Sequence, residues 1–184
     1  MWWLKAAGAV FTVGGGALLG FEVAARWARR PRRLAGLRSA LALLETEIAV
    51  GRTPLPEAAG RIAALVADPE VARFFRRLAA DLRAGEPADE AWRRRAVGLT
   101  GTDRVVDLLV RRLRQEEAAD LDPFAFLGGV IGATGLDDQL KHLQLAQERL
   151  AARERQAEAE AVRLAPLYRY AGAAGGLLVV LLLA

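Results

Sequence analysis

Residues 2–34 read W-W-L-K-A-A-G-A-V-F-T-V-G-G-G-A-L-L-G-F-E-V-A-A-R-W-A-R-R-P-R-R-L. From Ala6 to Phe21 the stretch carries no charge, and its apolar character continues through Ala25. Trp2–Ala25 is 24 residues long. As a helix it extends about 36 Å and spans a hydrocarbon core of about 30 Å. Trp2 and Trp3 stand at one end and Trp27 at the other, depths at which indole rings favour the headgroup region. Arg26, Arg29, Arg30, Arg32 and Arg33 follow at once, and such a cluster is retained on the cytoplasmic side. A secretory signal is the competing reading, because Val23-Ala24-Ala25 has the look of a cleavage site. Signal peptides place their positive charge before the apolar run, whereas here five arginines follow it. An uncleaved anchor over 1–25, with a basic juxtamembrane segment over 26–33, is therefore expected.

The far end reverses this order. Tyr170 to Ala184 is uncharged, Y-A-G-A-A-G-G-L-L-V-V-L-L-L-A. Counted from Leu167 it gives 18 residues, about 27 Å of helix and just enough to cross. Tyr168 and Tyr170 flank Arg169 at its mouth, an interfacial anchor pattern. A second membrane helix over 167–184 is expected, leaving 34–166 as the body. Both spans carry small residues four apart. Gly8, Thr12, Gly16 and Gly20 line one face of the first, and Gly172 and Gly176 one face of the second. Such spacing lets helix backbones approach closely in lipid, within one chain or between copies.

The body reads as short amphipathic helices. Leu34, Leu37, Leu41, Leu44 and Ile48 form one stripe on a helix from about 33 to 50. Gly51 ends it, and Thr53-Pro54 reads as N-cap and first-turn proline. Leu55, Ala58, Ile62, Leu65 and Val66 make the next apolar face. Asp68-Pro69 opens a third helix with Val71, Phe74, Phe75, Leu78 and Leu82 inward, ended by Gly85. A short helix over Pro87–Ala96 carries Trp92. Thr102 or Asp103 opens another, with Val105, Val106, Leu109 and Leu113 buried. Asp122-Pro123 is expected to open the next, with Phe124, Leu127, Val130 and Ile131 inward. The last helix runs from about Asp137 through Leu140, Leu143, Leu150, Ala157 and Leu164, and Pro166 should kink or interrupt it at the membrane surface. The fold class is all-α: a bundle of about six helices between two membrane anchors. Leu41, Leu44, Phe74, Leu78, Leu109 and Leu113 are expected to share one core.

Composition narrows the chemistry. The 184 residues include no Cys and one His, which excludes disulfides, thiol catalysis and His-pair metal sites. No residue pattern asks for a cofactor or metal. The net charge of +4 hints at nucleic acid, but its distribution does not. Residues 1–33 hold six basic residues against one acid, while 34–165 hold 19 basic and 21 acidic residues. A nucleic-acid domain carries its basic face on the folded body, so no such partner is expected. No P-loop or nucleophile elbow occurs. His142 could serve as a general base beside Asp137 or Asp138. The plainer reading is that Asp137–Lys141 and Asp138–His142, four apart and acid first, support a helix N-terminus. Glu45 and Glu47 flank the Leu41–Leu44–Ile48 seam, either as ion-pair partners of neighbouring arginines or as an acidic docking edge.

Several motifs in order resemble the stage III sporulation protein AB family of endospore-forming bacteria. They are R-R-P-R-R-L at the end of the first anchor, L-L-E-T-E-I at Leu43–Ile48, T-P-L-P-E-A at Thr53–Ala58, G-E-P-A-D-E-A-W at Gly85–Trp92, D-Q-L-K-H-L at Asp138–Leu143 and L-Y-R-Y-A-G at Leu167–Gly172. The resemblance implies a body similar to the F domain of type II secretion and type IV pilus platform proteins. It implies a place in the mother cell, in the complex that joins it to the forespore, and docking of a secretion-type ATPase resembling stage III sporulation protein AA. This chain departs from the family pattern at Thr134-Gly135, where the family tends to carry Ser-Asp, which weakens charge-based binding by that turn. The expected function is that of a non-enzymatic membrane platform. The alternatives are a membrane-anchored helical adaptor built on residues 137–165, a pilus or secretion platform protein outside sporulation, and an enzyme using His142. The candidate partner-binding residues are Glu45, Glu47, Asp137, Asp138, Lys141 and His142. Arg26, Arg29, Arg30, Arg32, Arg33 and Arg169 set orientation, and Gly8, Gly16, Gly20, Gly172 and Gly176 are candidates for membrane helix packing. Membrane lipid and a second copy of the chain complete the expected contacts.

The arginine asymmetry places the body in the cytoplasm and both termini on the opposite side. A topology reporter fused after Ala184 is expected to be active only if it works outside the cytoplasm; cytoplasmic activity there refutes two spans.

Overall fold

The computed structural model describes residues 2–51, 53–99, 111–131 and 134–183. Among them are six α-helices and no strand: α1 (Trp2–Ala49), α2 (Leu55–Leu65), α3 (Pro69–Arg83), α4 (Ala88–Val97), α5 (Arg111–Phe126) and α6 (Leu136–Leu183), with a 3₁₀ turn at Leu127–Gly129. The framework is α1 packed against α6. Each is 48 residues, about 72 Å of helix. They run antiparallel, since partners descend α6 as they ascend α1: Gly16 meets Gly172, Arg30 meets Glu160, Arg38 meets Glu154 and Glu45 meets Gln144. The start of α1 and the end of α6 therefore lie at one end of a helical hairpin, α2, α3 and α5 pack against its other half, and α4 sits on α3 and α5. The two hairpin helices are each long and apolar enough to cross a membrane.

The expected helix from about 33 to 50 is thus the second half of one continuous helix. Pro31 lies inside it and Pro166 lies inside α6, neither ending its helix. Proline removes one backbone bond and strains the preceding turn, but the partner helix packs on both sides of each proline, and tertiary packing outweighs that local cost. Pro123 likewise lies inside α5 instead of opening a new helix. Asp120, Leu121, Phe124 and Leu127 are buried on either side of it, so one inward stripe carries the helix across the proline.

Local signals hold well elsewhere. The Asp68 carboxylate accepts from the Glu70 and Val71 amides at 2.9 and 3.0 Å, an N-cap ahead of Pro69. Gly85 follows α3 with φ +87°, a conformation that disfavours a Cβ. Thr53 does not cap α2. Its hydroxyl donates to Glu47 Oε2 at 2.7 Å, tying the α1–α2 turn back onto α1. The Thr134 hydroxyl turns back to the Val130 carbonyl at 3.2 Å.

The bundle centre is aromatic. Phe74, Phe75, Trp92 and Phe124 are all buried. Their ring centroids lie between 4.8 and 6.3 Å apart, mostly edge to face, the arrangement that aromatic quadrupoles favour. Trp92 Nε1 donates to the Phe124 carbonyl at 2.9 Å, which satisfies its one polar atom. Leu41, Leu44, Phe74 and Leu78 share this core as expected. Leu113 does not. It joins a second cluster with Val23, Ala24, Trp27 and Ala165 at the root of the hairpin, because α5 begins beside that level of α1. Val105, Val106, Leu109 and the helix start at Thr102 or Asp103 lie outside the described residues. Leu65, expected inward, is 67% exposed, because α2 turns it away from α3 while Ile62 and Val66 face in.

Leu44 is fully buried. Leu44→Ala is expected to destabilise the body by roughly 2–5 kcal/mol, whereas Leu65→Ala should stay within about 0.5 kcal/mol. Paired thermal melts of the two variants check this contrast.

Candidate functional site

The arginine cluster divides in the structure. Arg29 and Arg32 are exposed, whereas Arg30 and Arg33 are buried, at 1% and 8%. Arg30 lies on the inward face of α1, a turn beyond Ala25. Its guanidinium grips Asp120 of α5 in a fork, Nε to Oδ2 at 2.5 Å and Nη2 to Oδ1 at 3.0 Å. Nη1 donates to Glu160 of α6, and Glu116 Oε2 stands 3.4 Å from Nη2. The Trp27 ring lies under the same group, 5.5 Å from centroid to Cζ. Burial disfavours the charged form, but Asp120 and Glu160 outweigh it and hold the guanidinium more firmly protonated than usual. Arg33 reaches three further elements. Nη1 donates to the Leu99 carbonyl at 3.0 Å, Nη2 meets Glu117 at 3.1 Å, and Glu70 lies at 3.4 Å. The two side chains bind α1 to α3, the end of α4, α5 and α6 at the level where the apolar hairpin gives way to the bundle.

Sequence reasoning assigned these arginines only to membrane orientation. A signal for burial was present: Gly16, Gly20, Val23, Trp27, Arg30, Leu34, Leu37, Leu41, Leu44 and Ile48 alternate steps of four and three without interruption, and Arg30 occupies one of the seam positions. Trp27, expected at the headgroups, is fully buried and stacks on Tyr168 at 6.4 Å. Its Nε1 has no hydrogen-bond partner among the described residues. Arg26 is half-buried beside Glu22, and Arg169 lies over the Phe21 ring at 5.7 Å.

Four of the five candidate glycines come together. A Cβ added at Gly16 would stand 2.8 Å from the Gly172 carbonyl oxygen, one at Gly20 2.5 Å from that of Tyr168, and one at Gly176 2.8 Å from Val13 Cα. The α1 and α6 backbones touch there and leave no room for a side chain. Gly8 has nothing within 4 Å. Around this contact Val10, Phe11, Leu18, Phe21, Leu177, Leu178 and Leu181 are exposed, an apolar surface suited to lipid.

The candidate docking residues lie toward the opposite end. Glu45 accepts from the Gln144 and Gln147 side-chain amides, each at 2.7 Å. Glu47 accepts from Thr53 and, at 3.2 Å, from Arg61. The Thr53 hydroxyl foremost, with Arg61, holds the Glu47 carboxyl below its ordinary range. Both glutamates thus have internal contacts. Asp137 and Asp138 are exposed in the first turn of α6. Lys141 pairs with Asp138 at 3.9 Å instead of with Asp137, and His142 rests on Phe126 at 5.7 Å between ring centroids. Among the described residues no three potential ligands are grouped to hold a metal.

A family model for stage III sporulation protein AB matches residues 5–184. The chain belongs to the stage III sporulation protein AB family. It is 35% identical over 181 residues to stage III sporulation protein AB of Bacillus subtilis (strain 168), covering 98% of this chain and 99% of that one. A solved structure of stage III sporulation protein AB (SpoIIIAB) is 28% identical, with a TM-score of 0.56 over 72% of this chain and 96% of that one. Membership supports a role in sporulation, and the all-helical fold agrees with that of the solved family member.

Removing one partner from a buried ionic cluster leaves the others uncompensated. Arg30→Ala is expected to cost roughly 3–5 kcal/mol. Arg30→Lys keeps the charge but lacks the fork that spans Asp120 and Glu160, so its loss should be intermediate. Chemical denaturation of both variants in detergent tests this order; an unchanged Arg30→Ala melt refutes the lock.

Proposed function

We propose that the chain is a non-enzymatic membrane platform of the mother cell–forespore complex, and that its helical body docks a secretion-type ATPase resembling stage III sporulation protein AA. The observation that carries this reading is the antiparallel hairpin. It brings two apolar helix ends side by side, with exposed apolar side chains around them and a compact bundle at the other end. A body tethered twice cannot rotate freely about its anchor, so its faces keep a fixed attitude to the bilayer. That suits a part that holds a soluble ATPase against a membrane. In this reading the helical body lies on the mother-cell cytoplasmic side, the termini lie opposite, and Arg29 and Arg32 face the lipid headgroups.

An enzyme is the weaker alternative. His142 contacts an aromatic ring, and among the described residues it has no carboxylate partner. The docking end in this proposal is the membrane-distal one, where Asp137, Asp138, Lys141 and His142 begin α6 and Glu45 and Glu47 lie nearby on α1. Surface charges of this kind mainly steer association and set orientation.

Co-purification of the full chain with its stage III sporulation protein AA-like ATPase tests the proposal. Asp137→Lys with Asp138→Lys alters two exposed residues, so the helical circular dichroism should persist while recovered ATPase falls several-fold and binding changes its salt dependence. Undiminished recovery moves the dock away from this end, and failure of the wild-type chain to recover the ATPase removes the docking role.

A further inference from the structure

The charges of the body are sorted unevenly. Many of its described carboxylates are engaged within the chain, among them Glu47 with Arg61, Asp81 with Arg94 and Arg95, Asp89 with Arg93, Glu154 with Arg38, and Asp120 and Glu160 with Arg30. On the outer face of α3 the balance fails. Arg73, Arg76 and Arg77 are exposed and have no ion-pair partner among the described residues. Arg76 also forms one rim of a groove of about 610 Å³ between α2 and α3. Arg83 and Arg61, the latter already paired with Glu47, complete a rim of three guanidiniums whose lining holds one carboxylate, Glu57. The floor is made of small residues, Gly60, Ala63, Ala64 and Ala79. Gly60 has a specific part in this shape. A Cβ there would stand 2.9 Å from Arg83 Nη2, so the glycine lets Arg83 lie across α2 to the Pro56 carbonyl at 3.3 Å.

We propose that the α2–α3 groove is a second docking surface, and that its occupant is an acidic helix of a protein partner with small apolar residues on its inner face. The small floor allows a helix to approach closely, as two helices with small residues at their contact do. The guanidinium rim matches carboxylates spaced along such a helix and presents them with fork donors. Geometry favours protein over lipid. Asp68, at the start of α3, abuts Gly36, eleven residues past Ala25 and about 16 Å along α1. The helix then leads away from the apolar hairpin, since Arg83 at its end reaches Pro56. Arg76 thus stands roughly 25 Å beyond the end of the first apolar span. Charge on a bilayer surface is screened within about 8 Å at physiological salt. This surface adjoins Glu47, which pairs with Arg61 at 3.2 Å, but it includes none of Asp137, Asp138, Lys141 and His142, and its occupancy does not depend on the ATPase assignment.

The test uses the full chain in lipid nanodiscs and a fluorescein-labelled helical peptide of alanines with a stripe of glutamates at four-residue spacing. A matched peptide carries lysine for glutamate. Binding is read by fluorescence anisotropy, and binding to phosphatidylglycerol vesicles is measured in parallel. The glutamate peptide is expected to bind the wild type and the lysine peptide not. Arg76→Glu, at an exposed and unpaired position, should weaken binding about tenfold and flatten its salt dependence. Ala64→Trp, which fills the floor without changing charge, should weaken it similarly. No binding of the glutamate peptide to the wild type, or equal binding of the lysine peptide, overturns the proposal. So does full binding by Ala64→Trp, which marks diffuse attraction in place of a groove. Loss of vesicle binding in Arg76→Glu with peptide binding intact assigns the face to lipid and equally overturns it.

Discussion

A guanidinium removed from water costs several kcal/mol unless charge and hydrogen bonds replace its solvation, and Arg30 has both. Asp120 takes two of its donors, Glu160 a third, and the Trp27 face covers it. These partners come from α5, α6 and α1, so the residue cannot keep its environment unless all three helices converge at one level. Arg33, one turn on, imposes the same condition on α3 and the end of α4. The molecule thereby has three packing regimes along one axis: backbone against backbone at the glycines, charge against charge at the root of the hairpin, and ring against ring in the bundle centre. The middle regime joins a membrane-type packing surface to a water-type core.

This arrangement explains which parts of the fold were legible in the sequence. Helix stripes, the Asp68-Pro69 start, the Gly85 stop and most of the apolar core follow from local rules, because a buried leucine and a capping aspartate carry their reasons in neighbouring residues. Three prolines and two arginines do not. Pro166 reads as a breaker and Pro123 as a helix start by local rules, yet each, like Pro31, lies within a longer helix that continues on both sides. Arg30 and Arg33 read as solvated because they sit in a basic run. Their carboxylates are 37 to 130 residues away in sequence, and only the tertiary fold reveals them. The uninterrupted four-three spacing through Arg30 was the one local trace of its burial.

The candidate docking residues were legible as charges but not as contacts. Glu45 and Glu47 read either as ion-pair partners or as an acidic edge, and the choice rests on Gln144, Gln147, Thr53 and Arg61, which lie outside α1. A near-neutral body also concealed its own polarity. Local net charge counts Asp120 and Glu160 equally with Asp137 and Asp138, although the first pair is engaged inside and the second faces water. Once the internal pairs are set aside, the body has an acidic start to α6 and a basic outer face on α3. Electrostatic complementarity depends on those residual surfaces far more than on the sum.

The ionic centre also bears on the register of the long hairpin. An antiparallel seam of glycine, alanine and leucine discriminates weakly between alignments one heptad apart, because apolar contact is non-directional and each shifted position meets another small or aliphatic residue. Arg30 is not so tolerant. In the observed alignment it faces Glu160. Slipping α6 by seven residues in one direction sets it against Arg153, and in the other against Leu167. The first is a like-charge contact and the second leaves the buried Nη1 donor facing an aliphatic chain with only the α5 carboxylates remaining, and each costs more than a leucine mismatch. The Gly16–Gly172 and Gly20–Gly172 contacts add a steric condition on the same alignment, since a slip of seven brings Ala165 or Val179 to the place of Gly172 and a side chain into a space that holds none. A polar residue at one seam position fixing the alignment of an otherwise permissive helix pair is the best-attested use of such groups, and here it fixes the height of the bundle above the apolar ends.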